Sequence, residues 1–326
     1  MVQYPLSDVD DDPSRIMDPV SWQVAEATLA GPLARAAMAL GRLDGALTAL
    51  DASRLRPGAI ARLAMRETEA ILWTAGTPLS AEILGRDVMD ARADSDPDAL
   101  RAGRWALRRL QGRGRLDDLR DFLGLHRLDA SGTTALLPLR ATGDAFDAAA
   151  TEFDMAMAAA AGLHPLTRAA FGELALRLSD LTPEGDMVEP ACWAARTMAC
   201  DCVAAVFAPI GRSRRKVRVA GGAPGQRLSA WYDAIAEGAD AARTELARLT
   251  AWQDHARRRV ARIKGDNPLR IVAVLAASPQ MTTAMVEAEA GISRDTAERL
   301  LVRLAGMGLV RETTGATRFR VWTAAL

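Results

Sequence analysis

Apolar residues recur every three or four positions along most of this chain, which is the spacing of amphipathic helices. The first such stretch begins at Trp22, and the dipeptide Pro57-Gly58 is expected to close it. The segment AIARLAMRETEAILWTAG predicts a second helix that ends at Gly76, and Ser80 is the expected N-cap of the next one. The pattern therefore predicts a helical N-terminal region.

Alanine-rich segments predict three more helices in the middle of the chain, namely DAFDAAATEFDMAMAAAAG, PLTRAAFGELALRLSDL and MVEPACWAARTMACDCVAAVF. Small side chains at so many positions allow helices to approach closely. Aromatic residues are only 5% of the chain, so few segments favour strands. A compact helical bundle is expected. Four tryptophans of the helical segments are expected in its core: Trp73, Trp105, Trp193 and Trp231.

The last part of the chain has a different pattern, which predicts a helix-turn-helix followed by a hairpin. The apolar segment PLRIVAVLAASP predicts a first helix, Thr282 begins a second, and Gly291 lies where the tight turn requires a left-handed residue. Ser293 is the expected cap of a third helix. The residues LVRETTGATRFRVWTA then alternate apolar and polar around a Thr-Gly-Ala turn, which indicates a two-stranded hairpin.

The third helix of this segment exposes a polar face, because its apolar positions fall on the opposite side. In a helix-turn-helix that face enters the major groove, where arginine can form two hydrogen bonds with guanine. The hairpin adds polar positions that can reach phosphate or the minor groove. The predicted DNA-binding residues are Thr282, Thr283, Ser293, Arg294, Asp295, Thr296, Arg299, Arg303, Arg311, Thr314, Thr317, Arg318 and Arg320.

These patterns together predict a mainly α fold, in which a helical bundle is followed by a C-terminal winged helix-turn-helix with a small β-hairpin. The predicted segments are a flexible acidic leader at 1–20, a helical domain at 21–210, a basic glycine-rich linker at 211–227, a long connecting helix at 228–264 and the winged unit at 265–326. We expect the linker to be exposed to solvent, either as a simple loop or as an arm that contacts phosphate. The long helix has apolar or small residues along one seam, which predicts a homodimer.

The net charge of zero hides a split between the two parts of the chain. Residues 205–326 contain 20 lysines and arginines and 11 aspartates and glutamates. Because the whole chain has a net charge of zero, residues 1–204 carry a negative net charge of the same size. Nearly all of this positive charge is arginine, which suits phosphate groups and base edges. A basic C-terminal third is expected of a protein whose C-terminal end faces nucleic acid.

The order of a helix, an A-x-x-A-G-I-S turn, a second helix, GLV and a glycine-tipped hairpin resembles the winged helix-turn-helix of MarR- and GntR-type regulators. The segments PLARAAMALGRLDGAL, RLAMRETEAILWTAGTPLS and HPLTRAAFGELALRL extend a second resemblance over nearly the whole chain. They are similar to a family of rhizobial and other alphaproteobacterial proteins, often encoded on plasmids, that join a helical domain of unknown function to a C-terminal helix-turn-helix. This resemblance implies a regulatory role.

The first two of these segments are also similar to the helices that precede the active site of Fic proteins. A Fic nucleotide transferase has a histidine followed by Pro-Phe, an acid and a Gly-Asn-Gly-Arg turn that binds phosphate. Here only His164-Pro165 is present, and Leu166 to Ala170 supply neither the acid nor the glycines. We therefore expect no enzymatic activity and no cofactor.

Cys192, Cys200 and Cys202 have no matching histidine or cysteine group, so we predict buried thiols and neither a disulfide framework nor a metal site. No segment is apolar for long enough to cross a membrane, and the acidic start MVQYPLSDVDDDPSR differs from a signal peptide. These features predict a cytoplasmic protein that associates with the nucleoid when it binds DNA.

The sequence thus predicts a protein that binds duplex DNA sequence-specifically, as a dimer, and regulates transcription or plasmid maintenance. The sequence leaves open a small-molecule or protein effector, which would bind to the helical domain. The alternative is a catalytically degenerate Fic-like scaffold that acts as a protein–protein adaptor, because winged units also serve as protein-binding modules.

Overall fold

The computed structural model describes residues 16–91, 93–125, 140–220, 222–315 and 320–326. Most of the predicted leader at 1–20 therefore lies outside the described residues. The described chain is mainly helical, with one small antiparallel sheet of three strands. The mainly α prediction is confirmed at this level. None of the described helices is both long and apolar enough to cross a membrane.

The N-terminal part consists of helices joined by turns and short loops. The helices are α1 Pro19–Thr28, α2 Ala30–Thr48, α3 Leu55–Ala75, α4 Ala81–Val88, α5 Pro97–Leu110, α6 Leu119–Leu123, α7 Gly143–Ala159, α8 Pro165–Leu178 and α9 Val188–Thr197. A 3-10 turn at Gly211–Ser213 leads into the short helix α10, Arg214–Val219, and then into the long helix α11, Pro224–Val260.

Capping residues explain where several of these helices begin and end. A carboxylate oxygen of Asp18 accepts a hydrogen bond from the backbone N–H of Ser21 at 3.0 Å, which fixes the start of α1. The hydroxyl of Ser80 accepts one from the N–H of Ile83 at 3.2 Å, so the predicted cap of α4 is confirmed. Gly76 ends α3 with a φ of 83°, a left-handed conformation that glycine adopts without strain.

The first helical stretch differs in two ways from its sequence prediction. It is divided into α1 and α2, because Leu29 leaves the helical conformation between them. Pro57 and Gly58 lie within the first turn of α3 instead of closing the preceding unit. Proline is tolerated in a first turn, since the N–H that it lacks would have no partner within the helix there.

The long helix α11 packs through its apolar side against α2 and α1 of the same chain. Leu228, Trp231, Ile235, Ala239 and Ala242 are all buried along that side. The apolar seam was expected to pair two chains, and this prediction is wrong for these residues because neighbouring helices of their own chain already cover them. A second copy would have to bind elsewhere.

The predicted linker at 211–227 also departs from expectation. Much of it is helical, and the side chain of Arg214 is buried. Its guanidinium lies 3.2 Å from a carboxylate oxygen of Glu173 and 3.8 Å from one of Glu67. A buried arginine is costly unless acids or hydrogen-bond acceptors surround it. The prediction of a solvent-exposed linker is therefore wrong at this position, because Arg214 holds the segment against α3 and α8.

Two expectations about single side chains are also corrected by burial. Trp193 and Trp231 are buried in the core as predicted, but Trp73 is 67% exposed, so its placement in the core was wrong. Cys192 is buried, and burial raises the pKa of its thiol. Cys200, however, is exposed, because it follows the end of α9 in a turn and not within a helix.

The C-terminal part follows α11 and contains all three strands of the sheet. Its elements are α12 Asn267–Ala277, β1 Met281–Thr282, α13 Thr283–Ala290, α14 Arg294–Gly306, β2 Val310–Glu312 and β3 Val321–Ala324. Strand β3 lies between β1 and β2 and is antiparallel to both, with Met281 opposite Trp322 and Val310 opposite Ala324. We call residues 267–326 the C-terminal unit.

Candidate DNA-binding surface

The turn between α13 and α14 is built largely as its sequence predicts. The hydroxyl of Thr282 accepts a hydrogen bond from the N–H of Met285 at 3.2 Å and begins α13. Gly291 ends that helix with a φ of 61°, in the left-handed region. Ser293 occupies the N-cap position of α14, but its hydroxyl donates to the hydroxyl of Thr296 at 2.9 Å and accepts no hydrogen bond from a backbone N–H, so its predicted role as a side-chain cap is wrong. These contacts fix the direction in which α14 leaves the turn.

Helix α14 has one buried and one exposed face. Ala297, Leu300, Leu301 and Leu304 are buried, and the polar side chains lie on the other side of the helix. At 100° per residue, Arg299 lies nearly opposite the buried stripe, Arg303 lies about 40° from it, and Arg294 lies about 140° from it, at the first position of the helix. Of the residues predicted to face outward, Arg294, Asp295, Arg299 and Arg303 are exposed, whereas Thr296 is half-buried. Glu298 and Val302 are exposed on the helix as well.

The three arginines of this face are available for a partner. Arg294, Arg299 and Arg303 have no ion pair with any residue that the structure describes. Each has five N–H donors in a planar arrangement that matches a guanine edge or a phosphate. Asp295 and Glu298 share the surface, so the net positive charge of the helix face itself is small. The arrangement can recognise hydrogen-bond acceptors through directed contacts.

The predicted residues at the start of α13 have structural partners. Thr282 is the N-cap described above, and the indole N–H of Trp322 donates to the hydroxyl of Thr283 at 3.0 Å. Trp322 lies on β3 and is buried. Both hydroxyls therefore stabilise the C-terminal unit, and neither is held away from the protein for a ligand.

The turn of the hairpin is organised by Glu312. Its carboxylate accepts from the N–H of Thr314 at 2.7 Å, from the N–H of Gly315 at 3.0 Å, and from the hydroxyl of Thr314. Burial alone would raise the pKa of Glu312, but these hydrogen bonds outweigh it and the pKa is lowered. The charge of Arg320, which is half-buried, acts in the same direction. The predicted contacts Thr317 and Arg318 lie outside the described residues.

Arg311 is a predicted DNA contact whose charge is paired with an acid of the same chain. Its Nη1 lies 2.9 Å from Oε2 of Glu82 on α4. The pair connects the base of the hairpin to the N-terminal helices. The charge of Arg311 is thus compensated within the protein, unlike the charges of the arginines on α14.

A buried arginine connects the C-terminal unit to the rest of the protein. Arg62 on α3 donates hydrogen bonds to the carbonyl oxygens of Leu275, Ala276 and Ser278 at 2.5, 3.0 and 2.6 Å. These carbonyls end α12, where helices lack internal donors and where positive charge is favourable. Burial lowers the pKa of Arg62 to about 10, opposed by the charge of Glu245. The C-terminal unit therefore packs against α3 through a specific cap.

Sequence reasoning missed a basic surface just before the C-terminal unit. The run HARRRVARIK ends α11 and leaves five basic side chains exposed, followed by a sixth in α12. The six residues are Arg257, Arg258, Arg259, Arg262, Lys264 and Arg270, which we call the basic segment. None has an ion pair with a residue in the described ranges. The charge run alone could have identified it, because no acid occurs between Arg257 and Lys264.

His164, the residue shared with the Fic motif, has a local structural role. Its Nδ1 accepts a hydrogen bond from the N–H of Leu166 at 3.1 Å and caps α8. The backbone N–H of His164 donates to a carboxylate oxygen of Glu26 at 3.0 Å. Among the residues that the structure describes, no group of three or more histidines, cysteines or acids could hold a metal ion.

Comparison with known proteins gives this chain no family. No protein-family model matches it, and no curated protein is significantly similar to it.

Proposed function

We propose that this protein binds duplex DNA sequence-specifically through its C-terminal unit and regulates transcription or plasmid maintenance. The element order supports this proposal. The C-terminal unit has the element order of a winged helix-turn-helix, namely helix, strand, helix, helix, strand and strand. Its sheet has β3 between the other two strands. In a winged helix-turn-helix of this order, α14 is the recognition helix and the β2–β3 hairpin is the wing.

One observation supports the proposal most strongly, namely the uncompensated arginines on the exposed face of α14. On a helix surface an arginine can form an ion pair with an acid three or four positions away. Arg294, Arg299 and Arg303 lack such pairs among the described residues, although acids are present on the same helix. An arginine without a partner in its own chain can form two hydrogen bonds with O6 and N7 of guanine, a contact that discriminates between bases.

The basic segment supplies the electrostatic part of the proposed interaction. Phosphate contacts position a protein on DNA, and each contact releases counterions, so binding weakens as salt rises. The face of α14 has too little net charge for strong attraction to a duplex. The exposed charges from Arg257 to Lys264 immediately precede the C-terminal unit and add that attraction.

We still predict a homodimer on DNA, but its two chains would not pair through the buried side of α11. Winged helix-turn-helix proteins that read palindromic sites bind two half-sites about one helical turn apart. Sedimentation of the full chain at micromolar concentration tests the stoichiometry, and a monomer both alone and on DNA would exclude a dimer.

An adaptor role is the second candidate, and two observations favour it. Asp295 and Glu298 lie among the arginines of α14, a mixture of charges that suits a protein partner. Arg311, at the base of the hairpin, is paired with Glu82. An adaptor predicts association with DNA that is weak and independent of sequence.

The experiment is a selection of duplexes from a random library by the full chain, followed by fluorescence polarisation across a salt series. The variant is Arg294→Ala/Arg299→Ala, and the control is Arg54→Ala/Arg113→Ala, which removes two exposed arginines outside the helices of the N-terminal part. We expect one enriched motif, and at least about a tenfold loss of affinity for it in the variant only. An absence of enrichment, or equal affinities for the variant and the control, would refute the proposal.

A second pair of substitutions separates base recognition from phosphate binding. Arg258→Gln/Arg262→Gln in the basic segment should weaken binding to every duplex by a similar factor. It should also reduce the slope of log K against log salt by about 0.9 for each phosphate that the variant no longer neutralises. The enriched motif should stay unchanged.

A further inference from the structure

A second concentration of arginines lies on the N-terminal helices, away from the C-terminal unit. Four arginines line a small cleft formed by α1, α3, α8, α10 and α11, together with a single acid, Glu173. We call it the arginine cleft, and its basic residues are Arg177, Arg214, Arg218 and Arg227. None of its lining residues belongs to the basic segment or to the C-terminal unit.

Arg214 forms the floor of the cleft. Its side chain is 5% exposed, and its Nε and Nη2 have no hydrogen-bond acceptor, although Glu173 and Glu67 compensate its charge. A buried N–H without an acceptor is costly, and such groups are usually satisfied by a ligand or by water. Both groups are also shielded from solvent, so Arg214, which lines the cleft, contributes mainly its positive charge there.

The positive charge at the mouth of the cleft is not balanced by acidic residues of its lining. Glu173 is already engaged by Arg214, so no acid of the lining remains for Arg177 and Arg218. Arg218 donates to the carbonyl of Thr74 at 2.5 Å. Arg177 has no hydrogen bond or ion pair with a described residue. Cations that share one opening repel one another, and a bound anion relieves that repulsion.

The size and the walls of the cleft restrict what can enter. Its volume is about 50 Å³, several times the ~10–15 Å³ that one water molecule requires, so a tetrahedral anion fits. Half-buried Leu174, Met187 and Val217 line it beside the arginines. An organic group attached to the anion would meet these apolar side chains.

We propose that the arginine cleft binds a phosphate monoester, with its phosphate among Arg177, Arg214 and Arg218 and its organic part against Leu174, Met187 and Val217. Phosphate fits better than a carboxylate because it is a dianion with enough oxygens to accept from several guanidinium groups at once. This site is independent of DNA binding, so either proposal can fail without the other.

Isothermal titration of the full chain with inorganic phosphate and with phenyl phosphate tests the site. We expect inorganic phosphate to bind with a Kd of about 1 mM and phenyl phosphate to bind more tightly. Equal affinities for the two probes would overturn the apolar part of the proposal. Absence of binding for both up to about 10 mM would overturn all of it.

Variants locate the binding. Arg177→Gln changes an exposed side chain without partners among the described residues, so the fold should persist, which circular dichroism verifies. It should weaken phosphate binding by about tenfold, the effect expected when one charge-assisted hydrogen bond is removed. Arg218→Gln is a second, independent variant with the same expected effect. The control Arg212→Gln/Arg215→Gln removes two exposed arginines outside the cleft, and an equally large weakening in this control would contradict the assignment.

Discussion

Arg311 on β2 and Glu82 on α4 form an ion pair, with 2.9 Å between Nη1 of the arginine and Oε2 of the glutamate. Glu82 also accepts a hydrogen bond from Arg86 at 2.6 Å. Burial would raise the pKa of Glu82, but its hydrogen bonds with Arg311 and Arg86 lower it. The hairpin of the C-terminal unit is thereby connected to the N-terminal helices, and the two parts of the chain share a network of charges.

This pair predicts that Arg311 contributes to stability more than to sequence preference. Arg311→Ala should lower the free energy of unfolding by less than about 1 kcal/mol, because the pair is partly exposed. The selected DNA motif should be unchanged. Glu82→Gln should cause a similar decrease, and the double variant should be little less stable than either single one. Urea unfolding of the wild type, the two single variants and the double variant measures these changes. Fully additive decreases in the free energy of unfolding would show that the two side chains do not interact.

Arg62 is expected to hold α12 in place. Arg62→Met removes the donors to the carbonyls of Leu275, Ala276 and Ser278 and should lower the free energy of unfolding by about 3 kcal/mol. Hydrogen exchange should accelerate in α12. Arg62→Lys keeps the charge but cannot reach all three carbonyls, so its effect should be intermediate. Exchange rates in α12 equal to those of the wild type would contradict the proposed cap.

Gly58 is expected to tolerate no larger residue, because α3 and α12 approach closely there. A Cβ at this position would overlap the backbone carbonyl group of Ala277. Gly58→Ala should therefore destabilise the protein by about 2 kcal/mol or more. The matched control is Gly41→Ala in α2, where nothing lies within 4 Å and where alanine should stabilise the helix by up to about 1 kcal/mol. Thermal unfolding should show opposite signs for the two variants, and equal signs would contradict the close approach.

Asp44 should make stability depend on pH. Its carboxylate accepts hydrogen bonds from the N–H groups of Val203, Ala204 and Ala205 at 3.0, 2.7 and 2.7 Å. Burial would raise the pKa of Asp44, but these bonds outweigh it and the pKa is lowered. A carboxyl whose pKa is lower in the folded state stabilises the protein above its unfolded-state pKa, and this stability is lost as pH falls through the folded-state pKa.

The variant Asp44→Asn isolates that contribution. At about pH 7 it should be roughly 1 kcal/mol less stable than the wild type, because an amide group replaces one acceptor. The difference should begin to shrink as pH falls below about 4, where the carboxyl of the unfolded chain takes up a proton, and it should be lost as pH falls through the lower folded-state pKa. Urea unfolding across this range provides the measurement, and a difference that stays constant would exclude the carboxylate as its source.

Local signals predicted many of the elements, and contacts between residues distant in the sequence caused several of the errors. Gly76, Ser80 and Gly291 act within a few residues of the chain, so their roles as caps and turns could be predicted from the sequence. Arg214 lies in a segment rich in glycine and arginine, and its burial depends on Glu67 and Glu173, which are distant in the sequence. No local pattern contains that information.

In the candidate DNA-binding surface, too, local features could be predicted from the sequence and long-range contacts could not. The periodicity of the apolar residues was enough to predict that Arg299 faces outward on α14, since a helix face depends on nearby residues alone. The pairing of Arg311 with Glu82 depends on how the C-terminal unit packs against α4, and alternation within a hairpin cannot predict it. The exposure of Trp73 likewise depends on which helix faces remain uncovered in the bundle.

The most direct test of DNA recognition is the affinity of wild type and Arg299→Ala for the selected duplex and for its single base-pair substitutions. If Arg299 contacts a guanine, the affinity of the wild type should fall about tenfold or more when that pair is replaced, and Arg299→Ala should bind both duplexes equally. Discrimination at every other position should persist. If Arg299→Ala instead weakens all duplexes by the same factor, or none, α14 does not read the DNA sequence and the central claim is wrong.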